Sequence, residues 1–521
     1  MSMNHGSPSP IVWSIAGTDS GGGAGLAADQ RAAEAFGVHL CPVVAAVTAQ
    51  NSVAVSAVQP LPPDWLEAQL AALAADLAPR AIKCGLLGSA VNARVLARWV
   101  DRLRAEHGPI PLVIDPVLGA TTGARFADAE LLAVYRHELL PRATAITPNR
   151  REAAELVPAS DSDLPGLAAR LRADGARAVC ITGGDAQEPT ARDWLDSPQA
   201  QGWLTLPRVD TAHHHGTGCT FATAWASALA LGFPDADAAI LAKMATTAAL
   251  QAAAPLGRGA GPVRAAAGFG GERSLLPTLS LGASTRPAAG RPRTAPGVYA
   301  IVDSAERTEA ALAGGADTVQ LRIKAPPVPD AAWQAHVQAE IARAVVAART
   351  AGRRLYVNDH WQQAIACGAS GVHLGQEDLL ALTPDERCEL AAARAAGLAL
   401  GLSSHSLWEL ARAAHEAPDY IACGPVWPTT TKAMPWRPQG LHNLAWWAAV
   451  APAPVVAIGG ILEPAQLAQA AAAGAAGGCV VRGLGNDPSA RLPAWRRAWQ
   501  HGLDARAFTP HPPAALPLPT L

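Results

Sequence analysis

RLYVNDHWQQAIACGASGVHLGQ, residues 354–376, decides the fold of the second half of this chain. Two short apolar runs, RLYVND (354–359) and GVHLGQ (371–376), flank a helical pattern, which is the signature of a strand-helix-strand unit. Working outward, the same alternation gives GVYAIVD (297–303), TVQLRIK (318–324), LALGLSSH (398–405), YIACGPV (420–426), VVAIGGI (455–461) and GCVVRG (478–483). Eight such units in about two hundred residues predict a (β/α)8 TIM barrel. Polar and glycine residues gather at the C-terminal ends of the runs: Arg322 and Lys324, Asn358 and Asp359, Gln376, Ser403 and His405, Gly459 and Gly460. That end is the active-site face of a barrel.

The 521 residues carry 41 Lys+Arg against 43 Asp+Glu, a formal net charge of −2, so no basic footprint for nucleic acid or an anionic membrane exists. Small-molecule substrates are the expected partners; self-association stays open. Half of the residues are hydrophobic but only 5% are aromatic, which suits Ala/Val/Leu-built α/β layers. Eight cysteines without a CxxC pair fit a reducing, cytoplasmic setting. The Pro/Ser-rich start lacks the pattern of a secretory signal. The uncharged stretch 443–462 is broken by Pro452, Pro454, Gly459 and Gly460, so it reads as a helix end and a buried strand rather than a membrane span.

Upstream, runs at 12–17, 41–49, 81–88, 111–117, 144–149 and 178–184 alternate with Ala/Leu-rich helices. Residues 192–210 read as a hairpin, and two helices close the half, one starting at Gly218 and one near Asp235. This predicts an open, doubly wound, mostly parallel sheet with helices on both faces. The expected organisation is a disordered start (1–10), a first domain (11–270), a flexible linker (271–296), the barrel (297–505) and a loose Pro-rich tail (506–521).

Chemistry concentrates at three places in the first half. Gly21–Gly25 is a Gly-rich turn between strand and helix, which lets backbone approach a small substrate, although many such turns are only tight turns. His215-Gly216-Thr217-Gly218-Cys219-Thr220 leads into a helix whose first amides form a cradle for an anion. The same field lowers the expected pKa of Cys219, a candidate proton acceptor, while its bland reading is a packed small hydrophobe. Asp115, Asn149 and Glu152 sit at strand ends, where they either meet water, Mg²⁺ and phosphate or serve as helix caps.

IAGTDSGGGAG, TAQNS, IKCGLLGS, IDPV, ITPN with REA, and HGTGCT, in that order, resemble the hydroxymethylpyrimidine/phosphomethylpyrimidine kinases of the ribokinase superfamily. The resemblance implies ATP-dependent phosphorylation of hydroxymethylpyrimidine and then of its monophosphate. It places Gly23, Asp29 and Gln50 on the pyrimidine, Asn149, Glu152 and Thr182 beside ATP, and Gly216, Gly218 and Cys219 at the anion hole. Two family lysines are absent, with Ala120-Thr121-Thr122-Gly123 and Thr182 in their places; Arg125 and Mg²⁺ are the candidates to compensate.

In the second half, strand alternation predicts that Gln320, Arg322 and Lys324 face one cavity, two cations and an amide suited to a diphosphate. Asp359 and Asp378 end adjacent strands and suit one shared Mg²⁺, and the 428–432 loop PTTTK adds hydroxyls and a cation. With QLRIK, NDHW, GVHLGQED, GLSSH, PTTTK and AIGGI in order, this half resembles thiamine phosphate synthase. The implied reaction joins hydroxymethylpyrimidine diphosphate to the thiazole phosphate and releases diphosphate. Arg322, Lys324, Asn358 and Lys432 would hold the pyrimidine diphosphate, and Asp359 and Asp378 the Mg²⁺. Ser403 would lie near the reacting centre, with Thr429, Thr431 and Gly460 on the thiazole phosphate; Arg482 replaces a family serine there. The two resemblances together imply a fusion enzyme of thiamine biosynthesis. A pyridoxal kinase, or a pyrimidine-binding sensor fused to an active barrel, are the alternatives for the first half.

Overall fold

The computed structural model describes residues 9–119, 126–157, 163–184, 188–282, 293–429, 435–508 and 516–521. They form two compact units, Met1–Arg286 and Pro287–Leu521.

The first unit is built on ten strands: β1 (Ile11–Gly17), β2 (His39–Gln50), β3 (Val55–Pro60), β4 (Ala81–Cys84), β5 (Leu112–Ile114), β6 (Ala145–Ile146), β7 (Ala178–Ile181), β8 (Thr190–Asp196), β9 (Gln201–Pro207) and β10 (Thr278–Leu279). Their order is β10-β9-β8-β7-β6-β5-β4-β1-β2-β3. The six central strands are parallel, and the apolar runs of β4 to β7 are buried throughout, as helices covering both faces require. The chain winds from β1 to β2 on one side and returns to β4 on the other, so β1/β4 is a switch point, where open α/β sheets bind ligands beyond the strand ends. Antiparallel β3 at the edge was not legible: VSAVQP is mostly exposed or half-buried and ends on a proline, which edge strands tolerate.

The second unit is a closed parallel barrel of β11 (Gly297–Val302), β12 (Thr318–Leu321), β13 (Arg354–Asn358), β14 (Gly371–Leu374), β15 (Ala399–Ser404), β16 (Tyr420–Cys423), β17 (Val455–Ala457) and β18 (Gly477–Val480). Three tyrosines, Tyr299, Tyr356 and Tyr420, fill its interior. Glycine makes room for them: a Cβ on Gly371 would lie 2.6 Å from the Tyr356 ring, and one on Gly401 would collide with Tyr420. Among the described residues no helix is long and apolar enough to cross a membrane.

Three expectations need correction. Residues 271–282 are not a flexible linker: β10 pairs with β9, and Leu275, Leu276 and Leu279 are buried, because this stretch hides a short apolar run inside a Gly/Pro-rich composition. From Arg293 onward the chain is fastened to the barrel, Arg293 donating to the Pro418 and Pro452 carbonyls. Residues 516–521 are not loose either. Leu518 exchanges hydrogen bonds with the Asn443 side chain at 2.7 and 2.9 Å, and Thr520 donates to the His405 carbonyl at 3.0 Å. Finally, β12 stops at Leu321, so strand alternation does not carry through Arg322 to Lys324, which is exposed.

Candidate active sites

At the switch point of the first unit, Asp19 organises the Gly-rich turn. Its carboxylate accepts from the amides of Gly21, Gly23 and Ala24 at 2.8–3.0 Å and pairs with His215 Nε2 at 2.8 Å. Burial opposes its ionisation, but the His215 bond and these amides outweigh it and hold the carboxyl below its ordinary value. Gln50 Nε2 lies 3.3 Å from the same His215 nitrogen. Gly216 has a φ of 85°, and a Cβ there would collide with the Gly23 carbonyl, so the two glycine turns can pack together only without side chains. Gly23, Gln50, Gly216 and Gly218 are thereby gathered at one place, at the N-terminus of the helix Thr217–Ala230.

Beneath that helix lies a buried charge cluster that sequence reasoning recognised only in part. Lys83 Nζ donates to both Asp29 oxygens at 3.0 Å, and Asp29 also accepts from Ser14 at 2.6 Å and Thr223 at 2.8 Å. Asp29 is therefore fully buried, with both carboxylate oxygens hydrogen-bonded inside the protein. Lys83 lay unnoticed inside an apolar strand, and the interruption of that run by one cation was the available signal. Asp115 Oδ2 is 3.9 Å from Lys83 and is buried without a hydrogen-bond partner. Burial raises its pKa to about 6, Lys83 opposing and Asp29 adding to the rise. Asp115 lies under Gly218, where a Cβ would be 3.7 Å from its Oδ1.

Cys219 departs from expectation. Burial pushes its thiol up to about 12; Lys83 opposes this, and the carboxylates of Asp115 and Asp29 add to it. The residue itself is half-buried at the start of the helix. Asn149 and Glu152 form a reciprocal capping box at 2.9 Å on the helix Arg150–Leu156, the cap reading of the two. Thr182 bridges to Asn149 at the neighbouring strand end. Residues 120–123 and Arg125 lie outside the described residues.

In the barrel, the ends of β12 to β15 and β17 carry the expected groups to one mouth. Asn358 is buried at the end of β13, and Asp359 follows with a φ of 65°, a strained conformation for a non-glycine residue. Burial and then the neighbouring Asp378 carboxylate raise the Asp359 pKa, while Arg322 opposes the rise. Two facing carboxylates beside a cation make a hard-oxygen donor pair that fits Mg²⁺, with Asp378 steadied by the Gly375 amide at 2.9 Å. His360, absent from the expected site, anchors the Ile323 carbonyl at 2.9 Å and so fixes the loop that carries Arg322 and Lys324. Gln320 is buried within β12, two residues before Arg322.

Ser403 Oγ lies 2.8 Å from His373 Nε2, a further residue that sequence reasoning left unassigned. Burial, with the Arg322 and His405 charges, depresses the His373 pKa to about 3, so the imidazole is neutral. Gly459 and Gly460, both at positive φ, pack against Pro425 and Trp427, and Thr429 follows on that loop. Thr431 and Lys432 lie outside the described residues. Arg482 follows the end of β18.

Comparison with known proteins agrees with this division. The phosphomethylpyrimidine kinase family model matches residues 19–264, and the thiamine monophosphate synthase model matches residues 298–484. A probable thiamine biosynthetic bifunctional enzyme of Oryza sativa subsp. japonica, described as chloroplastic, is 33% identical over 473 residues, covering 87% of this chain and 81% of the relative. A hydroxymethylpyrimidine/phosphomethylpyrimidine kinase of Synechococcus elongatus is 41% identical over 258 residues, 49% of this chain and 96% of that one. Among solved structures, the pyridoxal kinase from Staphylococcus aureus in complex with ADP is 29% identical and covers 49% of this chain and 93% of its own, with a TM-score of 0.45.

Proposed function

The chain belongs to the family of bifunctional thiamine biosynthetic enzymes, and from that premise we propose how its two units divide the work. The first unit phosphorylates hydroxymethylpyrimidine and then its monophosphate with ATP. The second condenses the resulting diphosphate with hydroxyethylthiazole phosphate to give thiamine phosphate and diphosphate. The observation that carries the reading is a relative of the same two-part design, aligned through both units.

In the kinase unit, Gln50 and the Gly21–Gly25 turn face the pyrimidine, with Asp19 and His215 setting the turn's shape. The amides of Gly218 and Cys219 at the helix start offer donors to the phosphoryl group in flight. The cluster of Lys83, Asp29 and Asp115 lies behind them and keeps that floor rigid. Asn149, Glu152 and Thr182 stand beside the nucleotide side of the sheet, where the Asn149 and Glu152 side chains cap the helix start and Thr182 pairs with Asn149 through the backbone.

In the synthase unit, Arg322, Lys324 and Asn358, joined by Lys432, bind the pyrimidine diphosphate, and Gly460, Thr429 and Thr431 take the thiazole phosphate. Asp359 and Asp378 would hold Mg²⁺, which supplies charge neutralisation to the departing diphosphate. No side chain has to act as a nucleophile: neutralising the leaving group and aligning the thiazole nitrogen suffices.

The test supplies hydroxymethylpyrimidine, thiazole phosphate, ATP and Mg²⁺ to the full chain and identifies products by mass. Thiamine phosphate is the expected product. Phosphorylation of pyridoxal but not of the pyrimidine would replace the kinase assignment, and pyrimidine binding without ADP release would make the first unit a sensor.

A further inference from the structure

Four barrel strands bring together a line of hydroxyl and imidazole groups that runs from the sealed interior to the mouth. Tyr299 on β11 and Tyr420 on β16 share a hydrogen bond between hydroxyls at 2.8 Å. The Tyr420 hydroxyl lies 2.7 Å from His373 Nδ1 on β14, and His373 Nε2 lies 2.8 Å from Ser403 Oγ on β15. Tyr299, Tyr420 and His373 are buried, whereas Ser403 is partly exposed at the mouth. The rings are clamped in place: Tyr420 meets Tyr299 and Tyr356 edge-on at 5.6 and 5.1 Å, and Gly401 admits its hydroxyl end.

Such a line can be ordered in two directions. If protons point inward, Ser403 donates to His373 Nε2, Nδ1–H donates to Tyr420, and Tyr420 donates to Tyr299. The Tyr299 hydrogen is then stranded, because among the described residues its hydroxyl meets Tyr420 alone. Leaving a buried donor unpaired is costly. If protons point outward, Tyr299 donates to Tyr420, Tyr420 to Nδ1, and Nε2–H to Ser403 Oγ. Every buried hydrogen is then used, and only the hydrogen at the exposed end is left over.

We propose that Tyr299 and Tyr420 lock His373 in its Nε2–H tautomer, so that Ser403 offers its hydroxyl hydrogen to an oxygen acceptor of the substrate in the barrel mouth. Tyr299, Tyr420 and His373 are positioning residues acting through Ser403. The inference rests on the reading that this mouth is the synthase site. It explains why polar tyrosines fill an interior that leucine or phenylalanine would fill without a need for partners.

The test has two readouts on the full chain. Imidazole ¹⁵N NMR, with His373 assigned by its absence in His373→Asn, is expected to show a bare Nδ1 and a protonated Nε2, and Tyr420→Phe is expected to release that preference. With pyrimidine diphosphate supplied directly, Tyr420→Phe is expected to lower synthase kcat by about tenfold, the size usual for losing a group that orients a functional side chain. Tyr299→Phe lowers it less. KM and the kinase rate stay unchanged, and Tyr420→Phe adds nothing on top of Ser403→Ala. A protonated Nδ1 in the unaltered protein, or independent losses in the double variant, would overturn the proposal. An unaltered protein that shows the expected tautomer but makes no thiamine phosphate would instead refute the synthase reading.

Discussion

Replacing Lys83 by methionine tests whether the floor of the kinase site is held by charge. Lys83 and Asp29 are both fully buried, and Lys83 supplies two of the four donor contacts to Asp29. Methionine keeps most of the volume but leaves Asp29 with two hydroxyl donors and no counter-charge, and it removes the cation facing Asp115. Breaking a buried pair from one side costs about 3–5 kcal/mol. For a domain of this size about 2–4 °C is lost per kcal/mol, so the kinase midpoint falls by about 6–20 °C. Heating the full chain and assaying both activities in the same samples reads this directly, with the synthase as the internal standard. Adding Asp29→Asn to Lys83→Met recovers part of the loss, because the stranded charge is gone. A kinase midpoint within about 2 °C of the unaltered protein would refute the reasoning, since it would place water or another cation at Asp29.

Asp115 gives a pH test with a definite sign. Its folded pKa of about 6 exceeds the ordinary 3.8, so the folded unit binds the extra proton and loses about 3 kcal/mol as pH rises from about 4 to about 6. Denaturant titrations of Asp115→Asn should lack that decline. Asp359→Asn removes one of the two facing carboxylates, and the Mg²⁺ concentration for half-maximal synthase rate should rise at least about tenfold while the kinase requirement is unchanged. Deleting residues 516–521 removes the hydrogen bonds to Asn443 and His405 and the acceptor for the Arg437 amide. At about 1 kcal/mol for each such bond, the synthase midpoint should fall by several degrees, with the kinase midpoint as the control.

The parts of the fold legible in the sequence are those where one periodicity runs through a whole element. All eight barrel runs appear as strands: each is a buried apolar run of strand length bounded by helical patterns and turn residues, which decides between strand and buried helix. Edge elements escaped for the opposite reason. β3 and β10 are short or half-exposed, so their hydrophobic signal is diluted, and pairing with β2 and β9 decides their conformation. Thr278 and Leu279 inside a proline- and glycine-rich stretch show how an average over thirty residues conceals two that matter.

Most of the site candidates read from the sequence lie at or near strand ends, whereas several polar groups inside strands were left unassigned. Gln50, Gly216, Arg322, Asp359 and Ser403 interrupt or follow apolar runs and announce themselves by type. Lys83, His373 and Tyr420 sit within buried strands, where alternation assigns a facing direction but no partner. Their roles depend on contacts 30 to 121 residues away in sequence, from His373–Ser403 to Tyr299–Tyr420. The surroundings of Asp29 and Cys219 were hidden by the same gap. Asp29 has the type and position of a ligand-binding carboxylate, but the donors that consume it come from β1, β4 and the helix Thr217–Ala230. Cys219 has the position of an activated thiol, but burial and two neighbouring carboxylates push its pKa up. What a polar residue does in these units follows from whether its hydrogen-bonding capacity is already spent inside the protein, and only the packed structure holds that account.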